Sequence, residues 1–188
     1  MIRATIALSL LLIPRIASAA PPVETTTPAQ RYFAGIELVD QDGHKVRLYE
    51  DLMHDRTVAI NSFFVSCHGS CPVMAANFAA IQSRFEERLG KDFRLVSISV
   101  DPEETPASLK TFAQQFKARP GWVFLTGKRE DVEHALRKLG QFVEDKSDHS
   151  NIVLIGNDRT GLWKKAFGLA GSQELIKVVQ SVLDDQHP

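Results

Sequence analysis

The hydrophobic pattern changes period several times along the chain, and each change marks an element. Residues 33–52, FAGIELVDQDGHKVRLYEDL, alternate apolar and polar positions on either side of Asp42-Gly43, which predicts a β-hairpin. Residues 57–65, TVAINSFFV, form an almost unbroken apolar run rich in β-formers. Such a run predicts a central strand buried on both faces. Over residues 71–89 the apolar positions move to helical spacing, with Val73, Met74, Phe78, Ile81 and Phe85 read as one stripe. Pro72 suits the first turn of that helix and Gly90 its end.

The alternation of strand and helix patterns continues to the C-terminus. FRLVSISV (93–100) predicts a second buried strand, and TPASLKTFAQQF (105–116) a helix with Thr105 as N-cap and Pro106 at its first position. GWVFLTG (121–127) is a short strand, and REDVEHALRKLG (129–140) a helix with acids early and bases late, matching the dipole. NIVLIGNDRTGLWKKAFG (151–168) reads as two strands around a turn, and SQELIKVVQSVL (172–183) as a closing helix. The βαβ start implies parallel pairing and the late hairpin antiparallel pairing. The order fits an α/β, thioredoxin-like mixed sheet flanked by helices, with an N-terminal β-hairpin extension.

The N-terminus follows a different pattern. Arg3, an apolar run over residues 4–13 and Ala17-Ser18-Ala19 predict a signal peptide at residues 1–20. The run is short for a bilayer span, so an uncleaved anchor is the alternative. Residues 21–31 lack an apolar pattern and are read as a flexible linker, which leaves a single domain at residues 32–185. The expected location is periplasmic or otherwise exported, with a membrane tether only if the leader is retained. Loss of Arg3 and Arg15 with the leader takes the net charge from −1 to −3. That charge gives no electrostatic reason to expect nucleic acid or anionic lipid as a partner.

Export changes the meaning of the two cysteines, Cys67 and Cys71 in SCHGSCP. Outside the cytoplasm a thiol pair tends to oxidise or to hold metal. At i,i+4 spacing on a helical turn their Cβ atoms lie about 5–6 Å apart, whereas a relaxed disulfide wants about 3.5–4.5 Å. A bridge therefore needs local adjustment. A helix N-terminus stabilises thiolate, and two thiolates can converge on a soft ion such as Cu(I), or on Zn(II), with imidazole a common third donor. An inert disulfide, a redox pair and a metal clip all meet these facts. The inert disulfide does not explain a position at the carboxyl end of the sheet, where open α/β sheets place their sites.

Six histidines could supply a third donor. His44, His54, His134 and His187 read as solvated or packing residues. His68 lies between the cysteines, with its side chain directed elsewhere. His149 precedes the strand IVLI, in a loop that a thioredoxin-like fold packs against the cysteine turn. Thioredoxin-type oxidoreductases carry CxxC and a proline in that facing loop. Here the spacing is CxxxC, and no proline lies between Pro120 and Pro188. A peroxiredoxin would need a Thr and an Arg around one reactive cysteine, which FFVSCHGSCP does not offer.

Four segments in order, SCHGSCPVM, VSISVDPEETPASLKTFAQQF, PGWVFLTG and DHSNIVLIGNDRTG, resemble the Sco/SenC family of copper-binding proteins over residues 35–183. The resemblance implies a thioredoxin-like domain holding Cu(I) or Cu(II) on Cys67, Cys71 and His149. It implies a metallochaperone for the copper site of cytochrome c oxidase or a related cuproprotein, with the apo copper-site subunit as partner. The alternative is a thiol–disulfide reductase that keeps the target's copper-ligand cysteines reduced and draws on a thiol reductant. Cys67 and Cys71 are then the redox pair, joined in a reversible disulfide, and no other catalytic residue is assigned. Asp101 and Asp148 match family positions and are read as structural. Many relatives have proline after the first cysteine and an acid after Cys-Pro, where this chain has His68 and Val73. His68 is expected to favour thiolate at a neighbouring cysteine and so to make the disulfide more oxidising.

Overall fold

The computed structural model describes residues 26–186. A short helix α1 (Pro28–Phe33) precedes a hairpin of β1 (Glu37–Asp40) and β2 (Lys45–Arg47). A β/α unit follows: β3 (Thr57–Phe63), α2 (Ser70–Arg84), β4 (Phe93–Ser99), α3 (Pro106–Gln115) and β5 (Trp122–Thr126). Helix α4 (Arg129–Leu139), a second hairpin of β6 (Ile152–Asn157) and β7 (Leu162–Phe167), and helix α5 (Ser172–Leu183) complete the chain.

The strands make one sheet in the order β2-β1-β5-β4-β3-β6-β7. β3, β4 and β5 run parallel, while the two hairpins join antiparallel at either side. The expected thioredoxin-like mixed sheet is therefore present, with the N-terminal hairpin attached through β1 to β5. β3 is buried along its whole length, as its unbroken apolar run requires. Its alternate residues feed two cores. Ala59 and Phe63 pack with Met74, Phe78, Phe112 and Val179 under α2, α3 and α5. Val58 and Ile60 pack with Leu38, Tyr49, Val96 and Leu136 under α1, α4 and the first hairpin.

Three local expectations need correction. Residues 28–31, read as flexible linker, lie in α1: the Thr27 side chain accepts the Gln30 N–H, Pro28 occupies the first turn, and Phe33 is buried against Trp163. Cap and proline together initiate a helix in a segment too polar to show periodicity. β2 stops at Arg47, because Leu48–Met53 winds into a π-helical turn. That turn buries Leu48, Tyr49, Leu52 and Met53, more apolar surface than one strand face accepts. Val73 is 49% exposed, since the buried stripe runs through Met74, Phe78 and Ile81 and the preceding residue points about 100° away. The leader expected at residues 1–20 lies outside the described residues. Among the described residues no helix is long and apolar enough to cross a membrane.

One close backbone contact fixes the approach to β5. Gly121 has φ +101°, and a Cβ there would stand 2.3 Å from the Gly90 nitrogen and 2.7 Å from its Cα. Neither neighbour is a side-chain end that could swing aside. Gly121→Ala is expected to destabilise the domain by about 3 kcal/mol, combining left-handed strain with overpacking. Thermal unfolding would then fall by roughly 10 °C. A midpoint within about 2 °C of wild type would show that the two loops can part without loss.

Candidate metal centre

The ladder between β3 and β4 ends at Phe63, and the chain then turns toward α2, with the Cys67 N–H donating to the Phe64 carbonyl at 3.2 Å. Cys67 lies in this turn and Cys71 is the second residue of α2. β6 runs antiparallel to β3, so the segment entering β6 meets the chain leaving β3. That segment is a 3-10 turn, Lys146–Asp148, whose first residues are held by the Asp145 carboxylate accepting the Ser147 N–H at 2.8 Å. His149 follows directly. Topology therefore brings together residues separated by about eighty positions in the sequence.

The three donor atoms nearly touch. His149 Nε2 lies 3.2 Å from Cys71 Sγ and 3.7 Å from Cys67 Sγ, and all three atoms fall within 4.8 Å of one another. Donors bound to one ion at about 2.0–2.3 Å stand roughly 3.5–4 Å apart, so the spacing is already close to that of a ligand set. All three residues are buried, Cys71 to 1% exposure. His149 Nδ1 faces the Ser150 carbonyl at 3.4 Å. With the ring proton assigned there, the Nε2 lone pair points at the sulfurs. Burial lowers the imidazole below its ordinary value, against the opposing Ser150 contact, which keeps the ring neutral and able to ligate near pH 7.

Both cysteines are free thiols, and their environments differ. Burial acts to raise the Cys67 thiol, but hydrogen bonds from the Cys71 thiol, the Cys71 and Gly69 N–H groups and the Ser70 hydroxyl together bring it below its usual value. His68 is not among those partners, is exposed, and lies outside the converging group. Cys71 is pushed up to about 12, chiefly by burial and then by its hydrogen bond to Cys67. The two sulfurs are thus shifted in opposite directions, Cys67 toward thiolate and Cys71 toward thiol. Because only thiolate reacts with iodoacetamide, Cys67 is expected to be labelled ahead of Cys71 at every pH below about 12. Peptide mass mapping across pH 6–9 checks this, and equal labelling of the two would refute it.

Two further carboxylates hold the ligand loops from one side, and the sequence alone did not reveal how. Glu104 accepts the Val65 N–H with Oε1 and the Ser99 hydroxyl with Oε2 at 2.7 Å. It thereby fixes the cysteine turn beyond the end of the β3 ladder. Asp101 accepts the Lys146 ammonium, tying down the turn before His149, and also accepts the Glu103 N–H at 3.1 Å. The Phe64 ring meets His149 edge-on at 5.4 Å. Asp101 thus has the structural role expected of it, whereas Asp148 is exposed. The signal for Glu104 lay in DPEETP, but nothing in that run says which of its acids faces inward. A second cluster, half-buried Asp40 with exposed Asp42 and His44, is committed to the β1–β2 turn, where Asp40 accepts the Asp42 and His44 N–H groups.

A thioredoxin-like sheet whose first βα turn carries two thiols, faced by a loop imidazole, presents a donor set that could hold one metal ion. The model of the SCO1/SenC family matches residues 24–184, and the chain belongs to that family. It is similar to a SCO1/SenC family lipoprotein from Bacillus anthracis, with 26% identity, a TM-score of 0.66, and coverage of 79% of this chain and 92% of that one. BsSco, a member of the Sco family of cytochrome c oxidase assembly proteins in which a disulfide switch is described, is 28% identical at TM-score 0.63, covering 78% and 90%. The copper-bound ScoI of Arabidopsis thaliana shares the fold at TM-score 0.67 and 24% identity, covering 81% and 99%. Comparison with curated proteins returns no match.

Proposed function

We propose that this protein binds copper on Cys67, Cys71 and His149 and serves, outside the cytoplasm, the assembly of the copper site of cytochrome c oxidase or a related cuproprotein. One observation carries the reading: two sulfurs and a neutral imidazole nitrogen, drawn from two distant loops, converge to 3.2–3.7 Å in a buried site. Thiolate softness favours copper over the harder divalent ions. Relatives with copper bound and the family's link to oxidase assembly support the same conclusion. The leader-like residues 1–20 support export. In this reading the target's own sulfur donors displace Cys67 first, the less buried of the two thiols.

A second reading rests on the unequal thiols. A Cys67 held toward thiolate beside a protonated Cys71 is the arrangement of a nucleophile and its resolving partner in disulfide exchange. The protein would then reduce the target's cysteines. Anaerobic copper titration of the reduced chain lacking residues 1–20, beside His149→Ala, separates the two. The expected result is one copper per chain with two sulfurs and one nitrogen by X-ray absorption. His149→Ala should weaken Cu(II) more than Cu(I), because two thiolates suffice to hold Cu(I) linearly. Absorption showing only oxygen and nitrogen donors would overturn the copper reading. Unimpaired support of oxidase assembly by His149→Ala would favour the reductase.

A further inference from the structure

The residue just before Cys71 is a serine whose hydroxyl is not used in the way its position suggests. Ser70 opens α2, yet the N-cap is Gly69 and no side chain caps the helix. The hydroxyl instead turns toward the thiols. Ser70 Oγ lies 3.2 Å from His149 Nε2 and also hydrogen-bonds Cys67. Its distance to Nε2 equals that of Cys71 Sγ. Ser70 Oγ thus stands beside the cluster of two sulfurs and one nitrogen, as near to Nε2 as donors that share one ion.

The hydroxyl has one proton, which serves either Nε2 or the Cys67 sulfur; when an ion takes the Nε2 lone pair the proton is left to the other acceptor, and rotation about the C–O bond can turn an oxygen lone pair toward the ion. The two oxidation states of copper differ in what they make of such a group. Cu(I) is satisfied by two or three soft donors. Cu(II) prefers four donors in a tetragonal arrangement and accepts a neutral oxygen. We propose that the Ser70 hydroxyl is a fourth donor of the centre, recruited by Cu(II) and left unused by Cu(I), so that Ser70 sets the preference between the two states. The inference rests on the copper reading given above and adds to it a residue outside the Cys67–Cys71–His149 set. Ser70 is half-buried, so this fourth face is also the open side of the centre.

The test uses the reduced full chain, with Ser70→Ala and Ser70→Thr. Cu(II) and Cu(I) affinities are measured by competition with chelators, and the Cu(II) form by electron paramagnetic resonance. Ser70→Ala is expected to weaken Cu(II) about tenfold, the size of one modest contact, to leave Cu(I) within about threefold, and to shift the copper hyperfine splitting. Ser70→Thr, which keeps the hydroxyl, restores both Cu(II) readouts. Three results would overturn the proposal: an unchanged Cu(II) affinity and spectrum in Ser70→Ala, equal losses of Cu(I) and Cu(II), or no recovery in a Ser70→Thr variant with wild-type circular dichroism. Broadening of the wild-type spectrum in ¹⁷O-enriched water would assign the fourth position to solvent and overturn it likewise. Wild-type protein that binds no copper through sulfur would be a different failure, that of the copper reading itself.

Discussion

Cys71→Ser is expected to lower Cu(I) affinity by about 10²–10³-fold, a single ligand's share of the binding free energy typical of thiolate–imidazole sites. Cys71 Sγ stands 3.2 Å from His149 Nε2, and the residue is 1% exposed, so no solvent donor can take its place. The serine hydroxyl is smaller, harder and does not ionise in a buried site, and each property disfavours Cu(I). Cys67→Ser should fall as far, since the remaining pair would then be one sulfur and one nitrogen. The fold should tolerate either change, because the Nε2 lone pair offers the new hydroxyl a partner. Competition with a Cu(I) chelator gives the number, and a loss below about tenfold would mean that the sulfur is not a ligand.

The three candidate donors were legible in the sequence by different routes. The run TVAINSFFV announces β3, and whatever follows a central strand lies at the sheet's carboxyl end. That places Cys67 and Cys71. His149 became legible only through topology: it precedes IVLI, and β6 beside β3 brings the two loops together. What could not be read were contacts that depend on where one side chain reaches. Glu104 captures the Val65 N–H across 39 residues, and Lys146 reaches Asp101 across 45. Local pattern carries no information at that separation. Ser70 was hidden differently, since a serine at a helix start reads as a cap and here it is not one. Val73 failed through phase: its apolar character fits the stripe, but its angle on α2 does not. His68 drew attention by lying between the thiols, yet adjacent positions on a turn point apart, and its side chain is exposed.

Oxidation is expected to have a still larger effect, removing copper binding altogether. Joining Cys67 to Cys71 forms one S–S bond and releases two electrons and two protons to an acceptor disulfide. Both thiolates vanish as donors in the same event. What remains is the His149 imidazole and the Ser70 hydroxyl, a pair with no particular hold on Cu(I). The two thiols already lie close enough for the Cys71 N–H to meet Cys67 Sγ at 3.4 Å, so closure demands only a local shift of the turn. The loop closed is very short, which limits its entropic benefit to well under the several kcal/mol of long-loop disulfides. The thermal midpoint should therefore move little while copper retention is lost. Converse protection follows from the same sulfurs: with copper bound, oxidised glutathione should react far more slowly, since neither thiolate is free to attack. Protein shown by mass to be fully oxidised, yet binding copper as the reduced form does, would break this exclusion. If the exclusion holds, carrying copper and reducing a target draw on the same reduced Cys67–Cys71 pair and cannot occupy one molecule at once, and oxidation of that pair ends both until the disulfide is reduced again.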